Sequence, residues 1–187
     1  MRIISGTLKG KPIAFIKSAI TRPLKDSVKE NIFNIITHSN LINIDLEESN
    51  ILDLYSGIGS FGLECISRGA DKIIFVEKDK NAAETLNKNL LALSIKDKAT
   101  VITEEIIDFL NRKQLKKFDI FFLDPPFADN NFIEDLKLIK QKKIYKNNHI
   151  IIIHRQRKSF DNFKKIIKPK IIKEYGRSKI IFAKFLD

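Results

Sequence analysis

The sequence is poor in the residues that build disulfide frameworks and cysteine-based metal sites. Its 187 residues include one cysteine, Cys65, no tryptophan, and three histidines, His38, His149 and His154. One cysteine cannot form an internal disulfide, and the histidines are not spaced as metal ligands. No apolar run approaches the roughly 20 residues of a membrane span, and residues 1–6 lack the apolar core of a signal peptide. We therefore expect a soluble, cytoplasmic protein that needs no metal.

Acidic residues are also scarce, and the imbalance is uneven along the chain. The 34 Lys and Arg against 23 Asp and Glu give a formal net charge of +11. Residues 1–29 carry seven basic side chains and one acid, residues 137–179 carry fifteen and two, and residues 30–136 are net negative by eight. Basic segments around an acidic middle favour a polyanionic partner such as nucleic acid. Simple solvated surface remains the alternative, because such patches carry no sequence information.

Strand-like and helix-like apolar segments alternate through most of the chain, which predicts one α/β domain. We expect strands near residues 51–55, 72–77, 99–103, 118–123 and 149–154. We expect helices near residues 26–37, 60–68, 80–93, 104–112 and 132–140. This alternation specifies a parallel sheet covered on both faces. Two further apolar segments, 170–173 and 180–185, predict a closing hairpin around Gly176.

The first 25 residues depart from this pattern. Residues 2–15 predict a short hairpin with a glycine-flanked turn, which we expect to bury little and to extend the main domain. The chain, 1–187, is thus interpreted as a single domain, with an N-terminal hairpin extension at 1–25 and the core at 26–187.

A glycine-rich turn joins the first predicted strand to the helix that follows it. Gly57, Gly59 and Gly62 fit the G-x-G-x-x-G dinucleotide pattern, in which glycines let the backbone approach a ligand closely. Asp53 lies just before the turn, where its charge would repel a pyrophosphate. A carboxylate there suits a ligand with a cationic amine, such as the methionine moiety of S-adenosylmethionine. Glu77 ends the next strand about 20 residues on, the spacing at which a carboxylate binds ribose hydroxyls in this class of fold.

The most informative motif ends the strand at 118–123, which leads directly into Asp124, Pro125, Pro126 and Phe127. Two prolines stop the strand and leave the Pro125 carbonyl without a ladder partner. The Asp124 carboxylate and this carbonyl can then accept two hydrogen bonds from one planar amino group, with the Phe127 ring against the base. The motif predicts a site for the exocyclic amine of a nucleobase. A strand end followed by a Pro-Pro turn is the simpler alternative.

Together these segments resemble the RsmD family of guanine-N2 methyltransferases of small-subunit ribosomal RNA, and the resemblance runs nearly end to end. The blocks at 2–6 and 21–23 point to this family, whereas Asp-Pro-Pro-Phe is shared with other amino-group methyltransferases. The other matching segments are 26–34, 52–59, 62–64, 67–70, 124–127 and 175–176, with Gly10. The resemblance implies a Rossmann-like class I methyltransferase fold, with a doubly wound, mostly parallel seven-stranded sheet and an antiparallel C-terminal hairpin.

The resemblance also implies S-adenosylmethionine as the cofactor. We expect Asp53 and the backbone of 55–59 to hold the methionine moiety and Glu77 to hold the ribose. The expected cofactor-binding residues are Asp53, Tyr55, Ser56, Gly57, Gly59, Glu77, Lys78, Glu105 and Arg22. Near the adenine the family has Asp or Asn before a small residue, whereas this chain has Glu104 and Glu105, so either acid could serve. Both acids could instead complement a helix dipole.

The substrate implied by the resemblance is a guanine of 16S ribosomal RNA, within a small subunit or an assembly intermediate, and a monomeric enzyme suits it. We expect the base to be flipped out and stacked on Phe127. The expected catalytic residues are Asp124, Pro125, Pro126 and Phe127. The expected RNA contacts are Arg2, Lys9, Lys11, Arg22 and Lys25. Arg22 lies in a Thr-Arg-Pro turn that resembles a family element closing over cofactor and target, although Leu24 replaces the usual Thr.

Other functions fit parts of the pattern. The acceptor could be another RNA or DNA amino group, or a protein glutamine amide, although the glutamine enzymes usually have Asn in place of Asp124. An NAD-dependent oxidoreductase could use the glycine turn, but residues 124–127 would then have no role. A basic RNA-binding assembly factor with a vestigial pocket is a third alternative. His154, at the end of the fifth strand, is interpreted as a satisfied strand-end residue rather than a catalytic one.

Overall fold

The computed structural model describes residues 1–16, 24–163 and 165–186, and these form seven strands and five α-helices. The helices are α1 (Asp26–His38), α2 (Ser60–Ser67), α3 (Lys80–Ala92), α4 (Ile106–Leu110) and α5 (Phe132–Lys142). The strands are β1 (Asn50–Leu54), β2 (Lys72–Val76), β3 (Ala99–Ile102), β4 (Phe118–Leu123), β5 (Tyr145–Gln156), β6 (Ile167–Tyr175) and β7 (Ser178–Phe185). All seven strands and five helices predicted after residue 25 are present, although β5 and β6 are longer and α4 is shorter than predicted. None of the helices in these ranges has the length and apolar character needed to cross a membrane.

The strands form one seven-stranded sheet in the order β3-β2-β1-β4-β5-β7-β6. Strands β1 to β5 pair in parallel, and β7 runs antiparallel to both β5 and β6. The predicted doubly wound sheet with an antiparallel C-terminal hairpin is therefore confirmed. The chain winds outward from β1 to β3 and then returns to place β4 on the other side of β1. In sheets of this kind ligands bind beyond the carboxyl ends of the strands at that switch point.

Helices cover both faces of the sheet, so the central strands are buried on both sides. In β4, Phe122 belongs to the core under α1, α2 and α3, whereas Phe121 and Leu123 belong to the core under α4 and α5, because successive strand residues face opposite sides. This double burial explains why β4 is apolar along its length instead of alternating. On the first face Phe61 stacks between Phe33 and Phe122, with ring centroids 5.4 and 4.0 Å away.

The N-terminal segment is more deeply packed than its sequence led us to expect. Arg2 and Pro12 form a single antiparallel bridge, so the predicted hairpin is present without extended paired strands. Ile3 and Ile13 are buried in the same core as α1 and α2. The expectation that this segment buries little was therefore wrong for these two side chains, whereas the other residues of 1–16 are exposed or half-buried. Arg22 and the rest of segment 17–23 lie outside the described residues.

The carboxylate of Glu64 on α2 fixes this segment in place. The side chain is fully buried, and its two oxygens accept hydrogen bonds from the backbone N–H groups of Ile4 and Ser5, at 2.8 and 2.9 Å. Arg68 Nε donates to it at 2.9 Å, and the buried Lys29 Nζ lies 3.5 Å away. Burial lowers the pKa of Lys29, and the charge of Glu64 is the largest influence opposing that shift. One carboxylate thus joins the N-terminal segment, α1 and α2.

We expect Glu64→Gln to lower the free energy of unfolding by about 3 kcal/mol, because the buried Lys29 loses its counter-charge. Urea denaturation at pH 7 measures the change. The matched control is Glu134→Gln, at an exposed carboxylate 2.7 Å from Lys137, where we expect a loss of no more than about 0.5 kcal/mol. Equal losses in the two variants would contradict the anchoring role of Glu64.

Candidate active site at the carboxyl edge of the sheet

Four acidic residues predicted to form the site lie at the carboxyl ends of adjacent strands. Asp53 lies in β1, Glu77 follows β2, Glu105 follows β3 and Asp124 follows β4. Since β1 lies between β2 and β4 in the sheet, the acids from distant parts of the sequence face one edge. The negative charges of Asp124 and Glu77 both act on Asp53.

The carboxylate of Asp53 is buried, and only one of its two oxygens accepts a hydrogen bond from the described residues. Its side chain lies in the core just before the glycine turn, and Oδ2 accepts a hydrogen bond from the Gly62 backbone N–H at 3.0 Å. Oδ1 is buried and has no hydrogen-bond partner among the described residues. Burial, with the nearby negative charges, raises the pKa of Asp53 well above its usual range. A buried acceptor without a donor is costly, and a cationic amine is a ligand that would satisfy it.

The glycine turn is closed by a carboxylate rather than left open for phosphate. The Gly57 backbone N–H donates to Glu77 Oε2 at 2.7 Å, and Glu77 Oε1 accepts from the Asp79 backbone N–H at 2.8 Å. Ser56 ties the turn to β2, because its backbone N–H and hydroxyl both lie within hydrogen-bond distance of the Val76 carbonyl. An amide that already bonds a carboxylate is poorly suited to a pyrophosphate, which argues against the NAD alternative.

Two glycines of the turn have different roles. Gly59 has φ of 82°, and a Cβ there would lie 2.3 Å from Leu86 Cδ1, so the turn needs glycine to pack against α3. Gly57 has φ of 54°, and a Cβ there would meet nothing within 4 Å. The backbone at Gly57 therefore borders open space in which a ligand could approach it.

Tyr55 links the end of β1 to α5. It has φ of 58°, and its hydroxyl donates a hydrogen bond to Asp135 Oδ2 at 2.6 Å. Burial raises the pKa of both partners, that of Asp135 to about 6, and the Tyr55 hydrogen bond opposes the shift of Asp135. The hydrogen bond to Asp135 of α5 thus helps to hold Tyr55 in its left-handed backbone conformation.

Asp124 has a partner that the sequence did not reveal. Its Oδ1 lies 2.8 Å from His154 Nδ1, and because a carboxylate accepts, Nδ1 is the donor. The side chain of His154 is 10% exposed and that of Asp124 is 23% exposed, so the imidazole is the more deeply buried of the two groups. The Phe127 ring meets the imidazole edge-on at a centroid distance of 5.6 Å. His154 Nε2 is buried without a hydrogen-bond partner in the described part of the chain.

The ring nitrogen Nδ1 of His154 is hydrogen-bonded, as expected of a satisfied strand-end residue, but its partner is the predicted catalytic carboxylate. Leu123 in β4 is paired with Ile153 in β5. The residues that follow them, Asp124 and His154, therefore lie side by side at the carboxyl edge of the sheet. Only the register between the two strands brings His154 to Asp124, and no local pattern in the sequence records that register.

Arg155 holds the loop that carries the Asp-Pro-Pro-Phe motif. Its buried guanidinium donates to the Pro126 carbonyl at 3.2 Å and to the Phe127 carbonyl at 3.4 Å. It also pairs with Asp161 at 3.0 Å, and it lies over the Phe132 ring, 4.5 Å from its centroid. The sequence signal for this role was weak, because a basic residue at a strand end is usually exposed.

The two acids after β3 form separate ion pairs. Glu105 lies 3.3 Å from Lys78, and both side chains are exposed at the rim between β2 and β3. Glu104 lies 3.0 Å from Arg112. Glu105 is the residue before the first turn of α4, but its side chain caps no backbone N–H there. Glu105 and Lys78 thus lie together on the side of the site beyond Glu77.

The candidate RNA-binding residues of the N-terminal part are exposed. Arg2, Lys9, Lys11 and Lys25 all have solvent-accessible side chains. The N-terminal segment reaches the glycine turn through the buried Asn89 of α3. Asn89 Oδ1 accepts from the Ala14 backbone N–H at 2.8 Å, and Nδ2 lies 3.1 Å from the Ala14 carbonyl and 3.4 Å from that of Ile58.

The sheet order, the antiparallel C-terminal hairpin and the acids at the switch point define a Rossmann-like class I methyltransferase fold. Solved structures support this class. A putative methylase from Haemophilus influenzae is 30% identical with a TM-score of 0.79, covering 100% of this chain and 98% of that one. The putative methyltransferase YhhF from Escherichia coli is 24% identical with a TM-score of 0.83, covering 98% and 96%.

The family is shown by sequence. The family model described as Conserved hypothetical protein 95 matches residues 1–184, and the chain belongs to this family, the RsmD family. Ribosomal RNA small subunit methyltransferase D of Haemophilus influenzae is 35% identical over 159 residues, 84% of this chain and 79% of that protein. The protein of the same name from Buchnera aphidicola subsp. Baizongia pistaciae is 33% identical over 191 aligned positions, 100% of this chain and 92% of that one. The family resemblance predicted from the motifs is therefore confirmed.

Asp135 should make stability depend on pH in a defined direction. Its pKa in the fold is about 6, above the ordinary value of 3.8. Its protonated form therefore stabilises the fold, fully below about pH 4, and this contribution is lost as pH rises through about 6. We expect the unfolding free energy of wild type, relative to Asp135→Asn, to fall by about 2 kcal/mol over that range.

Urea denaturation of both proteins between pH 3.5 and 7, taken as a series of about eight points, measures this difference. The asparagine keeps an acceptor for the Tyr55 hydroxyl, so only the titration is removed. A constant difference between the two proteins across the range would contradict the raised pKa of Asp135.

Proposed function

We propose that this protein is an S-adenosylmethionine-dependent methyltransferase that modifies the N2 amino group of a guanine in small-subunit ribosomal RNA. One observation carries the proposal: two acids on the adjacent strands β1 and β4 face the same edge, one buried and one partly exposed. Asp53 offers a buried, unpartnered oxygen for a cationic amine. Asp124 offers a carboxylate held from behind by His154. Relatives named ribosomal RNA small subunit methyltransferase D support the substrate class.

The residues after β1, β2 and β3 fit the cofactor. Asp53 Oδ1 would accept from its amino group, and each oxygen of Glu77, which receives one backbone N–H, keeps a lone pair for a ribose hydroxyl. The backbone from Tyr55 to Gly59 would line the methionine moiety, and Lys78 with Glu105 would flank the adenine. When bound, S-adenosylmethionine supplies the methyl group as part of an electrophilic sulfonium.

The Asp-Pro-Pro-Phe loop would hold the acceptor. The amino lone pair of guanine is delocalised into its ring, so the amine is a poor nucleophile. Hydrogen bonds from the amine to the Asp124 carboxylate and the Pro125 carbonyl would localise that lone pair on nitrogen. The carboxylate would take the proton that leaves the amine as the methyl group passes from sulfur to nitrogen, and the electron pair of the broken S–C bond would stay on sulfur. Since no covalent intermediate with the protein is needed, alignment provides much of the acceleration.

Neighbouring residues would keep this loop rigid. The two prolines, Pro125 and Pro126, fix φ where the strand ends, and Arg155 holds the carbonyls of Pro126 and Phe127. The hydrogen bond from His154 occupies Asp124 Oδ1 and leaves Oδ2 for the amine. Phe127 would stack on a base flipped out of its RNA loop.

The remaining parts of the proposal concern the RNA. Arg2, Lys9, Lys11 and Lys25 would contact phosphates, which sets affinity and salt dependence rather than sequence preference. Arg22 is included in the cofactor and RNA sets by the family resemblance alone. The substrate would be the RNA within a small subunit or an assembly intermediate, and the enzyme would act as a monomer.

The decisive test is transfer of labelled methyl to small subunits that lack the modification, followed by nucleoside analysis. We expect N2-methylguanosine, and we expect Asp124→Ala to lower the single-turnover rate at least about 100-fold while cofactor affinity stays nearly unchanged. Asp71→Ala, an exposed acid at the opposite edge of the sheet, is the control. Cofactor binding without RNA labelling would reject the proposed acceptor. A large loss of cofactor affinity in Asp124→Ala would show that its role is different.

His154 is assigned as a positioning residue, and two substitutions separate its hydrogen bond from its bulk. His154→Asn keeps an N–H donor close to the place of Nδ1, and we expect it to retain most activity. His154→Leu removes the donor, and we expect a loss of about 10- to 100-fold in the single-turnover rate. Cofactor affinity should not change in either. Equal rates in the two variants would show that the imidazole acts only by packing.

A further inference from the structure

Phe160 exposes an aromatic ring on the loop that follows β5. It lies in the connection between β5 and β6, and it is 96% exposed, the highest value for a large apolar side chain in the described part of the chain. The connection begins at Gln156, the carboxyl end of β5, and therefore starts at the edge that carries Asp124. Single exposed apolar side chains are common on protein surfaces, so a role for Phe160 is indicated by its anchored loop and its basic surroundings.

Hydrogen bonds fix the backbone on both sides of this ring. The Ser159 backbone N–H donates to the Gln156 carbonyl at 3.0 Å, and the Ser159 hydroxyl lies 2.9 Å from Asp161 Oδ2. Lys179 Nζ donates to the Ser159 carbonyl at 2.5 Å and lies 3.6 Å from Asp161. The ring is thus held out into solvent by a loop that is itself well anchored.

The same loop is joined to the acceptor loop. The Arg155 guanidinium pairs with Asp161, next to Phe160, and also donates to the carbonyls of Pro126 and Phe127. One buried side chain therefore fixes the position of both loops. Phe127 and Phe160 thus belong to the two loops that Arg155 joins.

The surroundings of Phe160 are basic. Lys158 is exposed, and Arg157 is exposed with its charge partly offset by Glu174 at 2.6 Å. Beside the ring runs an open groove of about 370 Å³, lined in part by Lys165 and Lys168. The one nearby acid in the loop, Asp161, is already paired with Arg155 and Lys179. Proteins that bind single-stranded nucleic acid stack bases on aromatic rings and contact the phosphates with nearby cations. Phe160 and the lysines beside it have this combination.

We propose that Phe160 is a stacking platform for a nucleobase of single-stranded RNA that flanks the modified guanine. Lys158 and the lysines of the groove contact the phosphates that join this nucleotide to its neighbours. This inference rests on the proposed function, because it takes the substrate to be RNA. It adds a second base-binding position, outside the Asp-Pro-Pro-Phe site, which positions the strand so that the target base can leave its stack.

The test compares Phe160→Ala, Phe160→Tyr and Lys158→Ala in binding to a mixed-sequence single-stranded RNA of about 12 nucleotides. We expect Phe160→Ala to weaken binding about 5- to 100-fold with an unchanged dependence on salt, because stacking releases no counterions. Phe160→Tyr should bind nearly as wild type does. Lys158→Ala should reduce the slope of log affinity against log salt by about 0.7. Leu91→Ala, at a 60% exposed apolar residue on α3, is the control.

The outcomes separate this inference from the proposed function. Wild-type affinity in Phe160→Ala, or no binding of the oligonucleotide by wild type, overturns the stacking platform, while methyl transfer to small subunits would leave the proposed function standing. Weakened binding of Phe160→Ala to subunits, with unchanged binding to the oligonucleotide, would also overturn it and indicate a protein contact. Because Phe160 is exposed, thermal unfolding of the variant should match wild type, which excludes misfolding as the cause.

Discussion

The parallel pairing of β1 with β4 is the constraint on which the site depends. These strands are separated by about seventy residues of chain, yet their carboxyl ends are neighbours because the winding of the sheet reverses between them. The reversal leaves a crevice that no crossover helix covers. Asp53 and Asp124 face it from adjacent strands, and every other contact in the site, from the Gly57–Glu77 hydrogen bond to the His154–Asp124 pair, orients a group around that crevice.

Burying the acidic groups of the site opposes folding, and the apolar packing on the two faces of the sheet compensates for it. Asp53 and Asp135 are carboxyl groups whose pKa burial raises, so their ionised forms oppose folding. The stacked rings of Phe33, Phe61 and Phe122 are among the contacts that make such burial tolerable. A bound cation at Asp53 would remove part of the cost, so ligand binding and folding stability are coupled through this carboxyl group.

Local sequence patterns predicted the alternation of strands and helices, the glycine turn and the acids at strand ends, because each depends on residues close in the chain. Contacts set by register were not predictable in this way. His154 meets Asp124 only because Ile153 pairs with Leu123, and Arg155 is buried only because two loops converge on it. The depth of Ile3 and Ile13 was missed for the same reason: their partners lie on α1 and α2, and a short apolar segment does not reveal whether a helix covers it.

The attachment of residues 1–16 to Glu64 has a consequence for the order of events during synthesis. This segment is translated about sixty residues before the carboxylate that accepts hydrogen bonds from the Ile4 and Ser5 amides. Until α2 is complete, Ile3 and Ile13 have no core to enter. The segment can therefore take its packed position only after α2 has been made, although it precedes α2 in the chain.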